Sequence, residues 1–245
     1  MNAPLLIGLS GWSYDEWKFG FYAGVKRREW LAHYARHFPA VEINASFYGR
    51  LRPATWERWR DETPPAFRFA AKANRFLTHR RSLAVSTDEV ARQAEEVAPL
   101  GHKLAALLWQ CPAKLEPADG LLERFLDTLS RAAPQVPHVL ELRHPAWFTP
   151  ATQALLAAHR VAWAVSDARD WPRWDLTLPP LAYLRLHGAA RTYVSPYSAD
   201  ELAHWAGQVR SWRDQGLAVQ VYFDNTAQGH AVDNAQDFLR LLPGS

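Results

Sequence analysis

Eight short apolar runs, each closing on polar or ionisable residues, recur along the 245 residues of this chain. They are Leu5–Gly11, Ala40–Asn44, Phe67–Ala73, Lys103–Gln110, His138–Arg143, Val161–Asp167, Leu181–Gly188 and Leu217–Asn225. Each is rich in aliphatic or β-branched residues and is bounded by turn formers, the pattern of a strand. Helical patterns lie between most of them. Lys26–Phe38 places Trp30, Leu31, Tyr34 and Phe38 on one face, and Pro53–Asp61 reads as a shorter helix. Ser86 with Glu89 and Ser198 with Glu201 are capping boxes, and Thr149-Pro150 is an N-cap followed by proline in the first turn. Leu121–Leu129 is amphipathic, Gly216 is placed to stop the helix opened at Ser198, and a last helix runs from about Ala231 to Leu242. After Asp167 the segment Trp171-Pro172-Arg173-Trp174 is too short and proline-broken for a helix.

Strand–helix alternation of this count predicts a single (β/α)8 TIM-like barrel over residues 1–245, within the size that such barrels occupy as one domain. An open doubly wound sheet is the competing architecture, but no Gly-x-Gly-x-x-Gly turn follows the first run. The charge balance, 28 Lys+Arg against 25 Asp+Glu, does not demand a nucleic-acid or membrane partner. The lone Cys111 excludes an internal disulfide framework and fits a reducing compartment. With no long apolar run and no signal-like start, a cytoplasmic protein is expected.

A barrel puts chemistry at the C-terminal ends of its strands. Those ends carry Ser10, Glu42 with Asn44, Lys72, Gln110, Glu141 with Arg143, Asp167, Arg185 with His187, and Asp224 with Asn225. Side chains two apart share a face, so the Glu42/Asn44, Glu141/Arg143 and Arg185/His187 pairs are expected in one mouth. The loops that follow are aromatic, with Trp12, Tyr14 and Trp17 in the first and Phe47 and Tyr48 in the second. Later loops add Trp147, Trp171, Trp174, Tyr193 and Tyr197. Aromatic walls around a few polar groups suit a sugar ring or nucleobase. Equally, such rings could simply cap the barrel.

Several of these segments carry a resemblance. Gly8-Leu9-Ser10-Gly11-Trp12-Ser13-Tyr14 with Trp17, and Val41-Glu42-Ile43-Asn44-Ala45-Ser46-Phe47-Tyr48, resemble the YecE-like family, domain of unknown function seventy-two. So do Phe67-x-Phe69-x-x-Lys72, Gln110-x-Pro112, Glu141-Leu142-Arg143-His144 with Trp147, and Arg185-Leu186-His187-Gly188. Asn225 followed by Gly229-x-Ala231 and Asn234-Ala235 completes the set, which spans nearly the whole chain in order. The resemblance implies a TIM-like barrel and no established reaction. Cys111 and Asp224 depart from it, where an aliphatic residue and a second Asn are expected.

Lys72, the one lysine near a strand end, suits anion binding, acid–base work or a Schiff base, against a structural salt bridge to Glu42. Lys72, Arg143 and Arg185 come from alternate strands and are expected to converge on one anion. Glu42 and Glu141 are the expected bases, with His187 or Lys72 as proton donor, against a purely charge-balancing role. Trp12, Tyr14, Asn44, Tyr48, Asp167 and Asn225 complete the expected substrate-binding set, and Gly188 is expected to let backbone approach a ligand. A divalent metal on Glu42, Glu141, Asp167, His187 and Asp224 is the less favoured alternative. No His-x-His spacing supports it and cations compete for the carboxylates, so no cofactor is expected. The leading expectation is a metal-independent acid–base enzyme for a small anionic or polyhydroxylated substrate. The alternatives are a phosphodiester enzyme whose Arg50, Arg52, Arg75, Arg80 and Arg81 follow a nucleic-acid backbone, or a non-catalytic ligand-binding protein.

Overall fold

The structure, a computed structural model, describes residues 3–242. Eight parallel strands close into one barrel in chain order. They are β1 (Leu5–Ser10), β2 (Ala40–Ile43), β3 (Arg68–Lys72), β4 (Leu104–Gln110), β5 (His138–Glu141), β6 (Ala162–Asp167), β7 (Leu181–Leu186) and β8 (Ala218–Phe223). β8 returns to β1, with Leu9 opposite Phe223, so no sheet edge is left open. Around them lie α1 (Trp30–Tyr34), α2 (Ala45–Tyr48), α3 (Pro53–Asp61), α4 (Thr87–Val97), α5 (Leu121–Ala132), α6 (Pro150–Ala158), α7 (Ala199–Asp214) and α8 (His230–Leu241). Both capping boxes form, and Thr149 caps α6 ahead of Pro150. The connection from β6 to β7 carries no helix, as its prolines dictate.

Two departures from the sequence reading concern local geometry. The helix expected over Lys26–Phe38 is a 3-10 turn at Arg27–Glu29 followed by only five α-helical residues. Beyond Tyr34 the backbone bonds tighten to three-residue steps, Arg36 to His33 and His37 to Tyr34. Between β3 and α4 a π-helical segment, Phe76–Arg80, stands where no element was expected. Such segments recur beside functional sites.

The barrel interior is a cluster of its own, built from small residues such as Ala40, Ala70 and Ala164 against the bulky Tyr183 and Tyr222. Outward-facing Ile7, Leu9, Val41, Phe69, Leu107 and Val221 join the helices in the main core. Gly8 marks the tightest point: a Cβ there would meet the Ala40 carbonyl oxygen at 2.0 Å. Beside it the Tyr34 hydroxyl accepts from the Leu9 amide and donates to the Ala40 carbonyl, each at 2.8 Å. This clasp fixes the β1–β2 register, and with it the relative height of Ser10 and Glu42, which lie opposite one another.

Candidate active site at the barrel mouth

Counting in twos from the interior cluster gives one inward side chain per strand at the C-terminal rim. These are Ser10, Glu42, Lys72, Gln110, Glu141, Ser166, Arg185 and Asp224. The first seven are all buried, and the Asp224 side chain is 14% exposed.

Arg185 is the hub of this ring. Its Nε donates to Glu42 Oε2 at 3.0 Å, and Nη2 donates to Glu42 Oε1 at 2.7 Å and to Asp224 Oδ2 at 3.0 Å. Nη1 donates to Glu141 Oε2 and to His187 Nε2, each at 2.9 Å. A guanidinium has five N–H donors, and all five are committed. The expectation that Arg185 binds an anion is thereby corrected, because no donor is left over.

The two glutamates are equally occupied. Glu42 also accepts from Ser10 and Tyr183, both at 2.7 Å, and Glu141 from Gln110 at 3.2 Å and Arg143 Nε at 2.5 Å. Burial alone would raise both carboxyls. Arg185 beside Glu42, and Arg143 with Arg185 beside Glu141, outweigh it and hold both below the ordinary carboxylate range. They are ionised as expected, yet a carboxylate so stabilised and so fully bonded is a weak proton acceptor. Their expected role as bases is corrected on that ground.

Asp224 stands in contrast. Burial pushes its carboxyl up, against the pull of Arg185 and with the help of Glu42, to about 6. That is a poise suited to proton transfer near neutrality. Asp224 is therefore the tunable carboxyl of the mouth.

His187 accepts from Arg185 through Nε2, which assigns its proton to Nδ1, and that nitrogen is buried without a partner. Burial, then Arg185, drives the imidazole well below its usual range, so it is neutral and offers a neutral N–H. Arg143 lies 3.6 Å from the Trp171 ring centre, its Nη2 buried and unpartnered. Lys72 stands 4.0 Å from the Phe47 ring centre, and burial followed by the charge of Arg185 lowers its amine to about 8. No salt bridge joins it to Glu42 among the described residues.

The remaining expected residues fall in several places. Tyr14 donates its hydroxyl to the Ser10 carbonyl at the rim, and burial followed by the charge of Asp224 raises its phenol. Asn44 precedes α2, with its Oδ1 buried and unpartnered. Asp167 and Asn225 each follow an inward residue by one and so face outward, a correction. Asp167 accepts from Tyr197 and Arg173, both at 2.9 Å, and Asn225 donates to Ser195 and Asn234, both at 3.0 Å. Trp12 is turned away onto Trp59, with ring centres 4.9 Å apart, and Tyr48 is 72% exposed against the edge of Phe47. Gly188, at φ +106°, makes its close approach to the Arg191 carbonyl of its own loop rather than to an open ligand space.

Ser166 and His79 stand outside the expected set, while Asp224 was expected only at a strand end and as an alternative metal ligand, and Tyr193 only as a loop ring. Ser166 and the inward phase of Asp224 are recoverable by counting in twos from Ala164 and Tyr222. His79 packs edge-on to Phe47 at 5.2 Å, and after burial Lys72, Arg75 and Arg143 lower its imidazole, so these cations meet on one side of the mouth. Tyr193, held at φ +67°, sits 5.7 Å from the His187 ring. A non-glycine residue in that conformation marks a constrained site. Nothing in the sequence announces His79.

Among the described residues no group of three or more His, Cys, Asp or Glu is disposed to hold a metal ion. Among the same residues no helix is long and apolar enough to cross a membrane.

Comparison with known proteins bears on the chain as a whole. The UPF0759 protein YunF of Bacillus subtilis is 27% identical over 269 residues, spanning 97% of this chain and 94% of that protein. The UPF0759 protein YecE of Escherichia coli is 32% identical over 146 residues, 59% of this chain and 50% of that protein. The crystal structure of a DUF72 family protein from Thermotoga maritima superposes with a TM-score of 0.87 at 25% identity, covering 98% of this chain and 99% of the other. The family described as "Protein of unknown function DUF72" matches residues 6–245. The chain belongs to that family.

Proposed function

We propose that the barrel mouth binds a small anionic, polyhydroxylated substrate and performs acid–base chemistry on it with the protein's own side chains. One observation carries this reading: Arg143 and His187, each bonded to the Glu141–Arg185 frame, keep a buried donor without an acceptor while Arg185 itself is saturated. Arg143 Nη2 and His187 Nδ1 are buried and unpartnered, and the Lys72 amine meets only an aromatic face. Unsatisfied buried donors cost about 1–3 kcal/mol each, and a phosphate or carboxylate would relieve that cost. In this assignment Lys72 and Arg143 hold the anion, His187 donates a neutral hydrogen bond, and Asp224 moves the proton. Glu42, Glu141 and Arg185 form the rigid frame that holds them. Titration calorimetry with inorganic phosphate tests it. Arg143→Gln and Lys72→Met should each weaken binding by about tenfold or more. Unchanged affinity in both variants would sink the reading.

A second reading, a phosphodiester substrate, is favoured by the exposed Tyr48 (72%) and Phe76 (45%) beside an arginine-rich rim. Exposed rings among arginines form a stacking platform for single strands. Two of those arginines are already paired, Arg50 with Glu96 and Arg81 with Glu89, which leaves the small substrate the better supported. Salt-dependent binding of an oligonucleotide at low ionic strength, lost in Tyr48→Ala with Phe76→Ala, would reverse that order.

A further inference from the structure

The chain holds two buried lysines, and they are treated in opposite ways. Lys103 is 4% exposed and donates three hydrogen bonds, to the carbonyls of Arg60 and Thr63 and to the Thr63 hydroxyl. That ammonium caps the end of α3 and is fully satisfied. Lys72 is 8% exposed and donates to no acceptor among the described residues. Its nitrogen rests on the face of Phe47, at the C-terminal end of β3, among the inward rim residues. A buried lysine kept charged for structural reasons is given acceptors, as Lys103 is. Lys72 is given an apolar wall and the neighbouring charge of Arg185, which together favour a free amine and outweigh the opposing pull of Glu141, Glu42 and Asp224.

From this contrast we infer that Lys72 is a covalent nucleophile that forms a Schiff base with a carbonyl-bearing substrate whose anionic group rests on Arg143. The inference rests on the anion-binding reading of the mouth and narrows its substrate class to phosphorylated or carboxylated aldehydes and ketones. In the step itself the Nζ lone pair attacks the carbonyl carbon and the C=O π pair moves to oxygen. The oxygen then leaves as water, carrying one proton from the amine and one from the Asp224 carboxylic acid. The iminium keeps the other N–H and the positive charge. Electron withdrawal by the iminium weakens the adjacent C–H or C–C bond, so the reaction class is α-proton abstraction or carbon–carbon cleavage, with the Asp224 carboxylate to take the proton.

Reductive trapping tests this directly, because the chain has only five lysines and Lys18, Lys26 and Lys114 are exposed internal controls. With its amine near 8, roughly a tenth of Lys72 is unprotonated at pH 7, against fewer than one in a thousand for an exposed lysine. The protein is incubated with glycolaldehyde phosphate and sodium cyanoborohydride at pH 7, and the adduct is mapped by peptide mass spectrometry. Hydride reduces the iminium carbon and fixes a secondary amine. The expected result is that, among the lysines, the adduct forms at Lys72 at least tenfold faster than at the exposed ones. It should be slowed by inorganic phosphate, slower with unphosphorylated glycolaldehyde, and absent in Lys72→Arg. Labelling of the exposed lysines with Lys72 unmodified overturns the covalent role. If phosphate still binds the same sample through Arg143, the anion site stands without it; if phosphate does not bind, both readings fall.

Discussion

Replacing Asp224 by Asn should make this protein more stable at alkaline pH, the reverse of the usual outcome for a buried hydrogen-bonded residue. The carboxyl is raised from 3.8 to about 6. Between those values the folded protein still holds a proton that the unfolded chain has released, so stability falls as pH rises through the window and levels off above about 6. Two units correspond to about 3 kcal/mol, an upper figure because the side chain keeps some contact with solvent. The Asn side chain presents the same acceptor to Arg185 and no charge to desolvate. Urea denaturation of both proteins at pH 8 and pH 4.5 isolates the effect, since packing differences and other titrating groups cancel in the difference. Asp224→Asn should gain about 2 kcal/mol relative to wild type on going from pH 4.5 to pH 8. At pH 8 that corresponds to roughly 4–8 °C in melting temperature for a chain of this size. A variant that instead loses stability on moving to pH 8 would show the carboxylate to be a net stabilising partner of Arg185 and His187. The reasoning that makes it the poised acid–base group would then be refuted.

Three other expectations follow from buried polar groups. Arg185→Leu leaves Glu42 and Glu141 buried without their shared cation and should cost about 3–5 kcal/mol or prevent folding, read by denaturation or soluble yield. His138 is lowered to about 4 by burial, while its ring accepts from Trp109 and bonds the Ala133 carbonyl. Because the unfolded chain takes up a proton first, the His138 contribution to stability falls by about 3 kcal/mol as pH drops from 6.5 to 4, opposite in sign to that of Asp224, and His138→Gln should gain about that much relative to wild type over this range in urea titrations. Tyr34→Phe removes the hydroxyl clasping Leu9 to Ala40 and should lower stability by about 1–3 kcal/mol in the same assay.

The barrel was legible because its constraint is periodic and local: eight apolar runs, six helices with readable caps or boundaries, and one proline-broken connection. The rim was legible only to within one residue, and a shift of one residue moves a side chain to the opposite face of a strand. Assigning Asp167 and Asn225 to the substrate took the outward neighbours of Ser166 and Asp224, whereas Glu42, Lys72, Glu141 and Arg185 fell on the inward phase. What the sequence hides is long-range saturation. Arg185 meets Glu42 across 143 positions, and no spacing rule reveals that all five of its donors are spent. Trp12 likewise has the composition of a pocket wall but finds Trp59 first.

The central claim is that Lys72 and Arg143, not Arg185, present free cationic donors to a ligand in the barrel mouth. A crystal structure of the protein soaked in inorganic phosphate tests it most directly. The account predicts a phosphate within hydrogen-bond distance of both Lys72 Nζ and Arg143 Nη2, with the bonds from Arg185 to Glu42, Glu141 and Asp224 unchanged. An anion bound instead by a freed Arg185, or found only on surface arginines while the mouth stays empty, would contradict it.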